Sequence, residues 1–119
     1  MISLINYPKR KLRKLVSSGE YLQALKLGKE LEKTLPNDPD LFFIIAGIYY
    51  MNGDAKNSLL YLDKVLEIAE YDTEALMLKA SVHINLKDKQ KALDCRDKIK
   101  EVDPENKAVD EILDEVEKI

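Results

Sequence analysis

The sequence predicts an all-α fold in which a helix–turn–helix unit occurs three times and one further helix closes the chain. Three observations lead to this prediction. Similar residues return every 34 positions, apolar residues follow helical spacing, and helix-capping residues occupy the intervening turns. No segment reads as a strand. A chain of 119 residues also has the size of one ordinary domain.

The 34-residue period is clearest at the turn inside each unit. Three dipeptides mark it, namely Gly19-Glu20, Gly53-Asp54 and Lys87-Asp88. The helix-breaking prolines between units keep the same phase, because Pro36 and Pro104 are separated by twice the period. A period in this range is typical of helical repeat proteins, in which each unit buries its apolar side against its neighbours.

Seven helices follow from the apolar spacing and the capping residues. In chain order they are predicted at about residues 8–18, 20–34, 39–52, 54–69, 73–86, 88–102 and 105–118. Aspartates that can accept a hydrogen bond from a first-turn N–H are predicted as N-caps at Asp38, Asp54, Asp88 and Asp103. Pro39 and Pro104 directly follow two of these caps, at a position where a missing N–H costs little.

The third predicted helix is apolar on every side. No charged residue lies between Leu41 and Met51, although 34% of the whole chain is charged. This run of 11 residues is too short for a membrane span, which needs about 20. Asn52-Gly53 ends it, since both residue types accept left-handed backbone. A helix with apolar contacts on two sides is therefore predicted.

The last segment, residues 107–119, reads as a closing helix. Val109, Ile112 and Val116 form an apolar stripe, and acidic residues cover the rest of the helix. A repeat array needs such a polar-backed end, because its final unit has no neighbour to cover its core.

The middle unit carries the repeat pattern best, at Phe42, Ile45, Ala46, Tyr49, Gly53, Ser58, Leu62 and Val65. With this pattern and a common phase of 34 residues, the chain resembles the tetratricopeptide repeat (TPR) family. The resemblance implies a right-handed α-solenoid in a single domain, 1–119, with repeats at about 5–38, 39–72 and 73–106 and a capping helix at 107–119. Gly28, Glu70 and Arg96 depart from the family pattern.

The residues do not predict an enzyme. The single histidine, His83, falls at a packing position, and no partner or pocket for a general base is evident. The single cysteine, Cys95, cannot form an intramolecular disulfide, and its acidic neighbours disfavour the thiolate. Metal-ligand spacing and a glycine-rich phosphate loop are also absent from the sequence. No cofactor, metal or catalytic residue is therefore predicted.

The main electrostatic feature is a basic run from Lys9 to Lys14, K-R-K-L-R-K. It lies in a basic first segment, whereas the remainder of the chain is acidic and the net charge is -3. Three interpretations stay open: a solvated helix face, a patch for an acidic peptide, or a weak site for nucleic acid or an anionic membrane. The overall acidity and the lack of interleaved aromatic residues argue against nucleic acid.

In the resembled family, the first helices of the repeats line a concave groove for a peptide or a partner helix. The resemblance places ten residues of this chain there: Lys9, Arg13, Phe43, Gly47, Tyr50, Met51, Met77, Ser81, Ile84 and Asn85. Phe43, Gly47 and Tyr50 share one helix face by their spacing of four and three. The predicted groove is apolar in its centre with a basic entrance. The alternative is that its apolar residues complete the core.

Some family members clamp the terminal carboxylate of a partner with lysine, arginine and asparagine side chains. The matching positions here hold Lys9, Arg13, Ile44, Glu74 and Leu78. Only the first repeat supplies cations, and Glu74 would repel a carboxylate. An amphipathic helix or an extended apolar segment is the expected ligand instead.

The sequence thus predicts a cytoplasmic protein-interaction module or adaptor whose partner is a protein or peptide. The alternative is a self-associating scaffold, a homo-oligomer in which the basic first end meets the acidic last end. A third interpretation is weak binding of nucleic acid or another acidic polymer through the basic run. The segment Met1–Tyr7 has apolar residues that suit the groove, and neither a targeting sequence nor a membrane partner is expected.

Overall fold

The structure is a computed structural model that describes residues 6–119. Its helices are α1 (Asn6–Ser17), α2 (Tyr21–Thr34), α3 (Pro39–Met51), α4 (Ala55–Ile68), α5 (Thr73–Asn85), α6 (Lys89–Val102) and α7 (Lys107–Glu117). No strand occurs within residues 6–119. The predicted number and order of the helices are confirmed.

The predicted period is visible in the backbone as well as in the sequence. Gly19 and Gly53 both have a φ of +76°, and Lys87 has a φ of 60°. These three residues end the first helix of each pair and are 34 positions apart. Left-handed backbone at this position reverses the chain after a helix, and glycine adopts it without strain.

Most of the predicted helix caps are confirmed. The carboxylates of Asp38, Asp54 and Asp88 accept hydrogen bonds from the N–H groups three residues later, at 3.0, 3.0 and 3.2 Å. Asp72 does the same for Ala75 at 2.9 Å. Each bond satisfies an N–H that the helix itself leaves without an acceptor.

The predicted cap at Asp103 is wrong. Asp103 is the C-cap of α6, and α7 begins at Lys107, which is the predicted start of the capping helix and lies two residues after the coarser limit of 105. The N-cap is Asn106, whose side-chain oxygen accepts from the Ala108 N–H at 2.8 Å. At the other end of the chain, α1 begins at Asn6 rather than at residue 8.

The chain divides into two compact units, and the division falls between Tyr61 and Leu62 inside α4. In the first unit, α1, α2 and α3 all pack against one another. Its fully buried side chains include Leu12, Leu41 and Ile45. The prediction of a single domain over the whole chain stays a prediction.

Gly28 allows α2 to approach α3 closely. A Cβ atom added to Gly28 would lie 3.0 Å from Ile45 Cγ1 and 3.8 Å from Leu12 Cδ1. The departure of Gly28 from the repeat pattern therefore has a packing reason. In the same unit, Ser58 Oγ donates to the Ala46 carbonyl at 2.9 Å, so this buried hydroxyl is satisfied.

In the second unit, α5, α6 and α7 enclose their own core. The core contains Leu76, Ala80, Ala92, Cys95, Ile99, Ala108, Val109, Ile112 and Val116. The apolar stripe of α7 faces this core, as predicted for a closing helix. Its acidic side chains are exposed.

Candidate functional site

One side of α3 keeps its apolar surface partly exposed. This side, called the α3 face below, consists of Phe43, Gly47, Tyr50 and Met51. The side chains of Phe43 and Tyr50 are half-buried, and Met51 is 57% exposed. A Cβ atom added to Gly47 would meet no atom within 4 Å, so the surface is open at this point. The α3 face therefore has an open site between larger apolar neighbours.

The opposite side of α3 is buried. Phe42, Ile45, Ala46 and Ile48 are buried there. The Phe42 ring lies 6.1 Å from the ring of Tyr61, centre to centre, in a tilted arrangement. The repeat phase predicted Phe42, Ile45, Ala46 and Tyr49 on the packed side, and the first three are buried whereas Tyr49 is half-buried.

The corresponding residues of α5 form a second surface, called the α5 face below: Met77, Ser81, Ile84 and Asn85. Met77 is 37% exposed, and Asn85 is also exposed. Ser81 is half-buried, and its hydroxyl donates to the Met77 carbonyl at 3.1 Å. Ile84 packs against the core of the second unit, so it serves the core at least in part.

The two cations of the predicted basic entrance are paired within the first unit. Lys9 Nζ donates to Asp38 Oδ2 at 2.9 Å and lies 3.4 Å from Asp40 Oδ2. Arg13 also bonds to the Asp40 carboxylate. Only 12% of the Lys9 side chain is exposed. The charge of this entrance is therefore compensated by carboxylates of the same chain.

The Lys9–Asp38 pair is the stronger part of this cluster. The hydrogen bond to Asp38 raises the pKa of Lys9. Burial opposes ionisation of Asp38, but hydrogen bonds from Lys9 and from the Leu41 N–H hold its pKa below the usual value. Both side chains therefore stay charged at neutral pH. A partner carboxylate would have to displace Asp38 to reach Lys9.

The potential catalytic side chains lie in the second unit's interior. Burial lowers the pKa of His83, which is 5% exposed, and its Nδ1 atom has no hydrogen-bond partner among residues 6–119. Burial raises the pKa of the Cys95 thiol to about 11. Neither group is placed as a base or nucleophile that a substrate can reach.

Two further kinds of site are not found in the part of the chain that the structure describes. No group of His, Cys, Asp and Glu side chains within residues 6–119 is arranged to hold a metal ion. Within the same range, no helix combines the length and the apolar character needed to cross a membrane.

Comparison with known proteins gives a match at the level of structure. No protein-family model matches the sequence, and no curated protein matches it either. The first TPR of Spaghetti (RPAP3), bound to the HSP90 peptide SRMEEVD, matches with a TM-score of 0.87 and 17% identity, over 96% of this chain and 90% of that one. The TPR2B domain of yeast Sti1, in its pHsp70 complex, matches with a TM-score of 0.84 and 18% identity, over 96% of both chains.

The chain has the TPR fold. The Sgt2 TPR domain from Aspergillus fumigatus supports this assignment with a TM-score of 0.85 and 14% identity, over 98% of this chain and 79% of that one. The predicted all-α helical-repeat fold is confirmed. Because each of these identities is below 25%, the similarity shows the fold alone. The ligand of this chain has to be inferred from its own residues.

The sequence pattern did not predict that the cations of the basic entrance form ion pairs with carboxylates of the same chain. Asp38 was predicted only as a helix cap, yet it also accepts from Lys9, which lies 29 residues earlier. No local pattern signals a contact at that separation. The predicted docking of the segment Met1–Tyr7 involves residues 1–5, which lie outside the described residues.

Proposed function

We propose that this chain is a protein-interaction module whose α3 face binds a partner peptide or an amphipathic helix. The observation that carries the proposal is the open apolar surface beside Gly47, next to the exposed Met51. An apolar surface that remains accessible after folding is typical of an interaction site. Methionine suits such a site because its flexible side chain adapts to different partners.

The neighbours in fold favour a peptide ligand. The RPAP3 and Sti1 structures contain an HSP90 peptide and pHsp70, respectively. PcrH, which matches with a TM-score of 0.83 and 12% identity over 96% of this chain and 89% of that one, is in complex with the chaperone binding region of PopD. The TPR fold therefore accommodates peptide segments in several proteins, and the same use is proposed here.

The charges favour an apolar ligand over an acidic peptide tail. Lys9 and Arg13 are already paired with Asp38 and Asp40, so they offer little uncompensated positive charge. An acidic peptide that displaced Asp38 or Asp40 would leave that carboxylate without its cation, and this cost opposes binding. We therefore propose that the ligand inserts aliphatic or aromatic side chains beside Gly47, as a helix does with residues spaced three or four apart.

We do not propose catalysis, and no cofactor is needed for the proposed function. His83 and Cys95 are buried in the second unit, with pKa values shifted toward their neutral forms. A binding module needs only an accessible surface of suitable shape and polarity. Nucleic-acid binding has no support from Lys9 and Arg13, because Asp38 and Asp40 compensate their charges.

A peptide-display selection tests the proposal, because it finds ligands directly from random sequences. A library of random peptides of helical length is selected against the wild type, and one enriched peptide is synthesised. We expect apolar residues in it at spacings of three and four, and measurable affinity by isothermal titration calorimetry. A terminal-carboxylate peptide, SRMEEVD, serves as the comparison ligand and should bind more weakly.

The Gly47→Leu variant provides the sharpest control for this selection. The new side chain enters open space, so it should fill the surface without disturbing the fold. We expect the selected peptide to lose affinity by about tenfold or more, the equivalent of about 1.4 kcal/mol. Lys56→Leu adds the same side chain at an exposed position of α4 and should leave affinity unchanged. Equal affinity for both variants would contradict the proposal.

The α5 face is tested separately with Met77→Glu. Met77 is exposed, so this substitution should not disturb the core of the second unit. If the selected peptide also loses affinity here, the α5 face belongs to the same binding site, as the sequence predicts. Unchanged affinity would restrict the site to the α3 face and remove the α5 residues from the proposal.

A further inference from the structure

A second surface is formed by the outer sides of α1 and α2. Two open depressions, with volumes of about 480 and 400 Å³, lie along these helices. Three lysines and two leucines line them, together with Glu20 and Glu30. Leu15 and Leu27 are half-buried, and Lys11 contributes to both depressions. This surface, called the basic furrow below, is defined by Lys11, Lys14, Leu15, Lys26 and Leu27.

The cations of the basic furrow differ from Lys9 and Arg13, the cations of the predicted basic entrance. Lys9 and Arg13 form ion pairs within the first unit. Lys11, Lys14 and Lys26 are exposed, and no carboxylate within residues 6–119 forms an ion pair with them. The basic run of the sequence therefore has two sides, of which only one is compensated by the chain itself.

The outer side of α7 carries the complementary charge. Val109, Ile112 and Val116 turn toward the core of the second unit. An exposed side of the same helix presents Asp110, Asp114 and Glu117, and the half-buried Leu113 lies beside them. This surface, called the acidic ridge below, is defined by those four residues.

We propose that the basic furrow of one copy of this chain binds the acidic ridge of a second copy. The furrow carries three exposed lysines beside the half-buried Leu15 and Leu27, which outnumber the two glutamates that also line it, Glu20 and Glu30. The ridge carries three exposed carboxylates beside the half-buried Leu113. Asp110, Asp114 and Glu117 are spaced by four and three, so they follow one another along one side of α7. Lys11 and Lys14 are similarly one helical turn apart. The two surfaces therefore match in charge and in spacing.

The size of the surfaces determines how strong this contact is. An α7 of 11 residues is about 16 Å long and about 10 Å wide, so it covers at most a few hundred Å². Stable complexes bury roughly 800 Å² on each partner. The association is therefore weak and depends on concentration. Because its charges are exposed, added salt screens it strongly.

The contact joins two different surfaces, so each copy offers both a furrow and a ridge to other copies. Such a contact forms a closed ring where the rotation between copies closes and an open chain of copies where it does not. In either case the average mass should rise with concentration. This inference concerns α1, α2 and α7 and does not depend on the proposed role of the α3 face.

Sedimentation velocity of the full chain tests the inference. At an ionic strength of about 0.01 M, where charges act over about 30 Å, the weight-average mass should rise with concentration. At about 0.15 M, where that distance is about 8 Å, the rise should be much smaller. A wild type that remains monomeric at low ionic strength and the highest attainable concentration would overturn the inference.

Charge reversal identifies the two surfaces. The furrow variant Lys11→Glu/Lys14→Glu places negative charge against the negative ridge, and the ridge variant Asp114→Lys/Glu117→Lys places positive charge against the positive furrow. Each variant alone should be monomeric under conditions in which the wild type associates. An equimolar mixture should associate again, because each altered surface now finds the opposite charge on the other variant.

Two controls make every result decisive. Lys89→Glu/Lys100→Glu changes the net charge as the furrow variant does, but at exposed positions of α6, and should associate like the wild type. Gly47→Leu should also associate normally, which separates this contact from peptide binding. Association that survives either reversal, or a mixture that stays monomeric, would contradict the proposed pairing of furrow and ridge.

Discussion

Lys87 occupies a backbone position that glycine occupies twice earlier in the chain. Its φ of 60° corresponds to the +76° of Gly19 and Gly53, at the same phase of the repeat. A side chain in this conformation brings its Cβ close to the carbonyl oxygen, whereas glycine has no such contact. The third turn of the repeat series is therefore strained where the first two are not.

The strain at Lys87 predicts that Lys87→Gly stabilises the protein. Removing the side chain should raise the free energy of unfolding by about 1 kcal/mol, after the greater flexibility of glycine in the unfolded chain is subtracted. Urea denaturation followed by circular dichroism measures the change. The matched control is Gly53→Ala, which should destabilise by a similar amount. A loss of stability in Lys87→Gly would contradict this account of the turn.

Gly28 and Gly47 are both helical glycines, but their surroundings differ. Gly47→Ala adds a methyl group in open space and should stabilise by about 0.5–1 kcal/mol, because alanine favours the helix. Gly28→Val places atoms against the fully buried Ile45 and Leu12 and should destabilise by about 1–3 kcal/mol. Thermal melts of both variants check the prediction. It fails if valine at position 28 leaves stability unchanged.

The burial of His83 predicts a dependence of stability on pH. Its pKa in the folded protein lies below the ordinary 6.5, because burial and the nearby Lys79 and Lys91 disfavour the charged ring, whereas Asp88 and Asp63 favour it less strongly. As pH falls, His83 therefore binds a proton in the unfolded chain before it does so in the folded protein. The contribution of His83 is complete above about pH 6.5 and is lost progressively below it, toward the folded pKa.

Denaturation midpoints between about pH 7.5 and pH 5 measure this effect, since Asp38 and Asp54 have lowered pKa values and titrate below that range. The comparison variant is His83→Leu, which fills the site without an ionisable group and removes the unpartnered Nδ1. We expect stability to fall with pH in the wild type but to change little in the variant. Parallel pH profiles would contradict the assignment to His83.

At the level of elements, local signals predicted most helix starts but not that of α7. Asp38, Asp54 and Asp88 each lie directly before a helix and cap it. Before α7, two residues with capping side chains lie three positions apart, Asp103 and Asn106. The sequence pattern favoured Asp103 because a proline follows it. The chain instead ends α6 there, and the cap passes to Asn106.

The assignment of the α7 cap can be tested with two alanine substitutions. Asn106→Ala removes the acceptor of the Ala108 N–H and should reduce stability by about 1 kcal/mol. Asp103→Ala changes an exposed residue at the end of α6 and should have a smaller effect. Chemical denaturation of both variants measures the difference. The reverse order of effects would favour the cap predicted from sequence.

At the level of the whole molecule, the fold was predictable because it repeats. Three copies of one pattern reinforce each other, so individually weak matches such as Ser58 or Gly53 identify the TPR fold together. The charge state of the candidate site was not predictable in this way. Lys9 and Asp38 are 29 residues apart and meet only after folding, so the pattern indicated a basic entrance where the chain compensates its own charge.

The central claim, that the α3 face binds a partner peptide, is tested most directly by mapping a bound peptide on the protein. The display-selected peptide is titrated into 15N-labelled protein, and amide shifts are followed by nuclear magnetic resonance. We predict the largest shifts at Phe43, Gly47 and Met51, and their loss in Gly47→Leu. Largest shifts in the basic furrow, with the α3 amides unaffected, would contradict the claim.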